Sequence, residues 1–345
     1  MSIRILISLS LFLYILPGAF GQMISLEHQI DSILAVPTSK PFNGVILISQ
    51  NGKTIYSKTM GYANVSDKIP LQLNDQFVIG SISKQITALL VLQEYDKGHL
   101  KLDESIYTYL PELKKRWQDD TITIQQLLSH THGIVHFEKP LKFKPGTQFE
   151  YSQIGYEILS QIFSKTSGQS FAIAVNKLFQ ECNMRNSQYP DFKENSLVKG
   201  YNRLENDTVV FELHSLENYA AAGSLISTAP DLVKWNTCLH EGKLIRKDTY
   251  KKMISKQKNA IRQHPIFGET FYGLGPTISD ESGILQLGQS GFAPGFASIN
   301  FYFPDTKTSI IILENVINNE SDFKNIFLFH TSILQLVKQA ISSTH

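Results

Sequence analysis

The chain has 345 residues, 42% of them hydrophobic, and its 32 basic and 31 acidic side chains leave a formal charge of +1. A chain of that length and composition buries a large core. The near-zero balance excludes a strongly basic surface, so neither a nucleic-acid partner nor a membrane-surface partner is expected.

The first residues read MSIRILISLSLFLYILPGAFGQ. Arg4 precedes an apolar run from Ile5 to Leu16, Pro17 breaks it, and Ala19-Phe20-Gly21 offers small residues where a signal peptidase reads. This layout predicts a signal peptide over residues 1–21, too short for a comfortable membrane span. The mature chain, 22–345, is then expected to be one catalytic domain, secreted or periplasmic, with no membrane span after cleavage.

Residues 24–36 have the spacing of an amphipathic helix. The segment 44–58, GVILISQNGKTIYSK, alternates and carries Asn51-Gly52, which predicts a tight hairpin. Phe77-Val78-Ile79 leads into a helix running to about Tyr95, with Ile82, Ile86, Leu89, Leu90 and Leu92 apolar and Gly98 as its stop. From about 99 to 270 the pattern is mainly helical, with helical spacing over 121–134, 154–168 and 229–242. From 271 onward, FYGLGPTI, ILQLG, FASINFYFP and TSIIILEN read as strands, and a helix-like stretch from Phe323 closes the chain. A lone two-stranded hairpin is marginal, so the early strands must pair with the late ones. The expected class is α/β in the loose, α+β sense: an antiparallel sheet built from both ends of the chain, with packed helices and an inserted helical region.

The two cysteines, Cys182 and Cys238, permit a disulfide in an oxidising compartment. Each lies in an apolar helix-like segment, and the reading adopted is two buried thiols. They have no His/Asp partner at ligand spacing, and His130 and His132 lack a third ligand, so no metal is expected and the two histidines are read as bracing a turn.

Ser-x-x-Lys occurs at Ser81/Lys84, Ser196/Lys199, Ser255/Lys258 and Ser321/Lys324. Ser81 alone stands at a strand-to-helix junction with an apolar, buried helix behind it. Residues i and i+3 share a helix face, so Lys84 can bring its amine to the serine oxygen. The helix N-terminus supplies free N–H groups for developing negative charge. A lysine acts as a base at neutral pH only when burial or nearby cations lower its pKa. Tyr151, between a Pro-Gly turn and a helix, is a second candidate acid/base.

GSISK, PGTQFEYSQIGY and GQSGFAPGFAS together resemble the serine β-lactamase and penicillin-binding-protein superfamily, in its class C β-lactamase-related branch. The resemblance covers most of the mature chain. It implies a serine hydrolase working through an acyl-enzyme on esters or amides, β-lactams and D-amino-acid peptides among them, with no cofactor. Ser81 would be the nucleophile, Lys84 and Tyr151 its acid/base partners, and the backbone N–H groups of Ser81 and Phe292 the oxyanion hole. Gln153, Gln289, Ser290 and Gly291 would line the substrate site.

Two positions depart from the family pattern. Gln153 stands where asparagine is usual, and Gln289 where lysine or histidine is usual. A neutral amide at 289 gives up a charge-assisted contact to a substrate carboxylate, so anionic substrates are expected to bind less well than neutral ones. The same departures support an alternative, a weakly active or inactive member that binds peptidoglycan or a partner. Lys165-Thr166-Ser167-Gly168 and Ser66-Asp67-Lys68 only superficially match further family motifs: the first ends a helix and the second precedes Ser81.

Overall fold

The computed structural model describes residues 25–37, 41–117, 122–190, 197–204, 207–210, 219–241, 244–318 and 322–342. The signal segment expected at 1–21 lies outside them, as do Ser196 and Ser321. Helices are α1 (Leu26–Ala35), α2 (Ser83–Asp96), α3 (Ile124–Leu128), α4 (Gln153–Ser167), α5 (Phe171–Glu181), α6 (Ala229–His240), α7 (Lys247–Met253), α8 (Phe323–Ile326) and α9 (Leu328–Ser342). The main sheet contains β1 (Gly44–Gln50), β2 (Lys53–Met60), β3 (Ile261–His264), β4 (Gly268–Tyr272), β5 (Thr277–Ser279), β6 (Gln286–Ala293), β7 (Phe296–Phe303) and β8 (Thr308–Glu314). Their spatial order is β2-β1-β8-β7-β6-β5-β4-β3, antiparallel throughout.

The sheet joins the two ends of the chain. β1 pairs with β8 from Gly44↔Glu314 to Gln50↔Thr308. Asn51 (φ 50°) and Gly52 (φ 73°) make the left-handed turn that returns β1 into β2, as the Asn-Gly pair predicts. Side chains of β1 and β8 alternate between two apolar layers. Val45, Leu47, Ile311 and Leu313 face the core that holds α2, whereas Ile46, Ile48, Ile310 and Ile312 face α1 and α9. Burial on both faces explains why TSIIILE reads as a continuous apolar run rather than an alternating one.

α2 runs through the first core and is buried nearly all round. Ile86, Leu89 and Leu92 are fully buried, each contributing about 1.5–3 kcal/mol. Together they offset the several kcal/mol that hiding the Lys84 amine from water costs.

Three expectations are corrected. The cysteines are not free thiols: Cys182 at the end of α5 and Cys238 in α6 have Cα atoms 5.7 Å apart and form a disulfide. Helical spacing put each cysteine on an apolar face but carried no information that the two helix ends meet. The helix expected over 121–134 is only Ile124–Leu128; Thr123 and Gln126 form a capping box at its start, and left-handed His130 (φ 59°) and Gly133 (φ 78°) turn the chain after it. Strand structure also begins before 271, at β3 and β4, and Tyr201–Leu204 in the middle region pairs with Asp207–Val210 there and with Val316–Asn318 near the other end of the chain. These strands are short, and β3 and β4 are exposed along much of their length, so they lack the apolar alternation that marks a half-buried strand.

Candidate active site

Phe77–Val78 pairs with Ile226–Ser227, and one 3₁₀ turn, Gly80–Ile82, carries the chain into α2. Ser83 Oγ donates to the Gly80 carbonyl at 2.7 Å and accepts from Leu225 N at 3.1 Å, which pins this turn. Ser298 Oγ on β7 donates to the Ile79 carbonyl at 3.0 Å. A Cβ on Gly80 would lie 2.4 Å from Phe292 N, and one on Gly291 would lie 2.1 Å from the Ile79 oxygen. Glycine at both positions therefore lets the turn bearing Ser81 press against β6, with the Phe292 amide beside it.

Lys84 is fully buried one helical turn after Ser81. Its Nζ lies 2.5 Å from Gln153 Oε1, 2.6 Å from the Ala222 carbonyl and 3.3 Å from Ser81 Oγ. As an ammonium, Lys84 donates to all three acceptors; on losing a proton it keeps two donors for the two shorter contacts and turns its lone pair to the serine hydroxyl. Burial lowers the Lys84 pKa against the opposing pull of Tyr151, and the Arg262 guanidinium lowers it further. Ala222, which anchors the amine, lies in a π-helical turn, Ala220–Ser224, packed against α2 and α4.

Tyr151 immediately precedes Ser152, the N-cap of α4, and packs its ring on His130 with centroids 4.5 Å apart. The Lys84 ammonium position is 4.8 Å from the Tyr151 ring centre and the Arg262 guanidinium 4.2 Å from it. Gln289 Nε2 donates to Tyr151 Oη at 3.3 Å. Burial pushes the phenol up, but the charges of Lys84 and Arg262, with hydrogen bonds from Ser81 and Lys84, outweigh it and hold the pKa below its usual value.

The structure thus brings Ser81, Lys84, Tyr151, Gln153, Gln289, Ser290, Gly291 and Phe292 to one place. Gln153, with its longer side chain, reaches the Lys84 amine directly. Ser81, Tyr151, Gln153, Ser290 and Phe292 line a cleft of about 240 Å³, while Gln289 is buried behind it. A larger groove of about 600 Å³ between α2, α5 and Leu244–Arg246 holds none of these residues. His130 Nδ1 accepts from Ser152 N at 3.2 Å and His132 Nδ1 from Ile134 N at 2.9 Å. Burial holds both pKa values far below the ordinary histidine range, that of His132 at about 3. They brace the turn as neutral rings, and no cluster of three or more metal-ligand side chains occurs among the described residues. Ser255 donates to the Lys252 carbonyl on an exposed turn, so its Ser-x-x-Lys match is a surface feature.

Sequence reasoning missed seven contributors. Arg262 and His264 come from β3, and the hairpin it forms with β4 walls the cleft together with Pro265 and Ile266. Phe323 and Phe327 from the C-terminal helices form the opposite apolar wall. Glu157, one turn along α4 from Gln153, is raised to about 7 by burial against the pull of Lys84. Arg262 and His264 stand two apart in IRQH, the spacing that puts both on one face of a strand. That signal goes unread where the segment is taken as helical.

The Beta-lactamase family description matches residues 38–330 of the chain. PbpX of Bacillus subtilis (strain 168), a penicillin-binding protein by name, is 27% identical over 298 residues, covering 81% of this chain and 72% of that protein. The octameric penicillin-binding protein homologue from Pyrococcus abyssi aligns with a TM-score of 0.73 at 26% identity, over 86% of this chain and 74% of that one. The D-amino acid amidase from Ochrobactrum anthropi SV3 aligns with a TM-score of 0.77 at 21% identity, over 91% of this chain and 99% of that one. The sheet joined from both chain ends, the cleft at the start of α2 and the match over 38–330 make this chain a member of the beta-lactamase family, within the superfamily of serine β-lactamases and penicillin-binding proteins.

Proposed function

We propose that the protein is an exported serine hydrolase that cleaves esters or amides through an acyl-enzyme. The observation that carries this reading is the Lys84 amine, buried and donating to Gln153 and Ala222, with Ser81 Oγ at its third position. Ser81 Oγ attacks the substrate carbonyl carbon, and its proton passes to the Lys84–Tyr151 pair. The N–H groups of Ser81 and Phe292 donate to the developing oxyanion. The leaving group departs with the proton returned from Tyr151, and water, activated by the same pair, releases the acyl group. The fold shared with a D-amino acid amidase supports amides as one substrate class. Export is supported by the residue pattern of 1–21 and by the Cys182–Cys238 disulfide, a bond typical of oxidising compartments.

The test incubates the mature protein and Ser81→Ala with a fluorophosphonate, a labelled penicillin and a short-chain nitrophenyl ester. Labelling and ester turnover that vanish in Ser81→Ala support the hydrolase. Absence of both labelling and turnover with every probe overturns it and leaves the binding-protein alternative.

A further inference from the structure

We propose that a second pocket, between β3–β6 and α9 and across His264 from the cleft, binds a free amino acid with an apolar side chain, and that its occupancy sets the position of the 265–267 loop that walls the cleft. The pocket itself does not depend on the hydrolase reading; its effect on turnover does.

The pocket has a volume of about 190 Å³. Drug-sized sites begin at roughly 300 Å³, so its occupant is a smaller molecule. Gln286 on β6, directly opposite Ser279 on β5, forms the inner wall. Gln286 is only 6% exposed, and its Oε1 has no hydrogen-bond partner among the described residues. A buried amide left unbonded is costly, and an occupant that brings a donor recovers that cost. Phe267, Phe301 and Leu334 supply an apolar face, the two rings meeting edge to face at 5.5 Å. At the mouth, Lys338 of α9 and Glu281 lie 3.3 Å apart, with the Glu281 side chain 76% exposed. Such a surface pair is worth little and opens at little cost. An α-amino acid matches it charge for charge, carboxylate to Lys338 and ammonium to Glu281. The ammonium has three donors, enough for Glu281 and the Gln286 carbonyl. The side chain then lies on Phe267 and Phe301. A simple anion or cation would leave one charge of the pair unmatched, and a purely apolar molecule would leave Gln286 unbonded.

His264 is the partition, because its ring lines both the pocket and the cleft. Its Nδ1 accepts from Ile266 N at 3.1 Å and from Phe267 N at 3.4 Å, and its Nε2 lies 3.1 Å from Ser290 Oγ. The ring therefore ties the loop between β3 and β4 to β6. Phe267 lines the pocket from this loop, and Pro265 lines the cleft from it. An occupant packed on Phe267 thus fixes the other end of a wall that the substrate meets. Two ligands that draw on one loop change each other's affinity by the same factor.

The test titrates each enantiomer of leucine calorimetrically into Ser81→Ala, alone and combined with Lys338→Met or Gln286→Leu. The expected result is a Kd of about 1 mM or tighter for at least one enantiomer. Lys338→Met weakens that binding at least about tenfold and Gln286→Leu at least about fivefold. Leucinol, without the carboxylate, and 4-methylpentanoate, without the ammonium, each bind at least about tenfold less tightly than leucine. No binding up to about 10 mM overturns the site, and so does a Kd that neither pocket substitution changes, since leucine then binds elsewhere. This arm needs no turnover, so failure of the hydrolase reading leaves it standing. The second arm measures KM for a nitrophenyl ester with and without saturating leucine. A change of about fivefold or more in wild type that is absent in Lys338→Met supports the coupling; an unchanged KM in wild type overturns it.

Discussion

Gly80→Ala tests the proposed oxyanion hole, the amides of Ser81 and Phe292, without changing a side chain to which the proposed mechanism gives a role. Gly80 has φ 55°, a conformation that costs an L side chain about 1–2 kcal/mol. More consequentially, the new Cβ would lie 2.4 Å from Phe292 N and 2.7 Å from the Gly291 carbonyl carbon, where ordinary contact begins at 3.4 Å. Both neighbours are backbone, so no side chain can swing away. The Ser81 turn and β6 must separate by about 1 Å, a misplacement that costs about a hundredfold in rate when it falls on reacting groups. Loss of one oxyanion donor costs a comparable factor. The assay is kcat for nitrophenyl ester hydrolysis, with Tm measured in parallel. The expected outcome is kcat down about a hundredfold, with Tm lowered by several degrees as the separate consequence of strain. A folded variant with kcat within about threefold of wild type would refute the claim that Gly80 sets the spacing of the two amides.

Three further outcomes follow from the same structure. Gln289→Leu removes the N–H that donates to Tyr151 Oη; a bond worth about 1 kcal/mol moves the rising limb of the pH–rate profile up by about 0.7 pH, and an unmoved limb would show that Gln289 does not tune Tyr151. His132 and His330 are fully buried, and burial holds both at about 3, below the unfolded value of 6.5. Their neutral forms therefore stabilise the fold fully above pH 6.5, and that stability is lost as pH falls toward 3. Each costs about 1.4 kcal/mol per pH unit below 6.5, and a Tm unchanged between pH 7 and about 5.5 would contradict this. Cleaving the Cys182–Cys238 disulfide, which spans 56 residues of sequence, should remove about 4 kcal/mol of stability by loop-closure entropy; equal Tm with and without reductant argues against it.

Much of the fold is written locally. Asn51-Gly52 specifies its own hairpin, Gly98 and Gly168 follow helix ends in left-handed conformations, and the periodicity of 26–35, 83–96, 153–167 and 229–240 matches the helices that form. The Ser81/Lys84 pair is legible too, because i, i+3 spacing on a buried helix is a property of that helix alone. Tyr151 and Phe292 are reached through resemblance of their motifs, since no local rule brings residues so far apart to one cleft.

What only tertiary structure decided lies where the relevant neighbour is distant in sequence. The disulfide depends on where α5 and α6 end relative to each other. The state of Lys84 depends on Ala222 and Gln153, which arrive from two other segments. Arg262 is an unremarkable residue of a short edge strand until the hairpin folds over Tyr151. The sequence by itself determined which side chains could do chemistry, because residue type and local spacing suffice for that. The fold decided their burial, their hydrogen-bond partners and the charges beside them, because electrostatic and hydrogen-bond energies depend on distances that local sequence does not set.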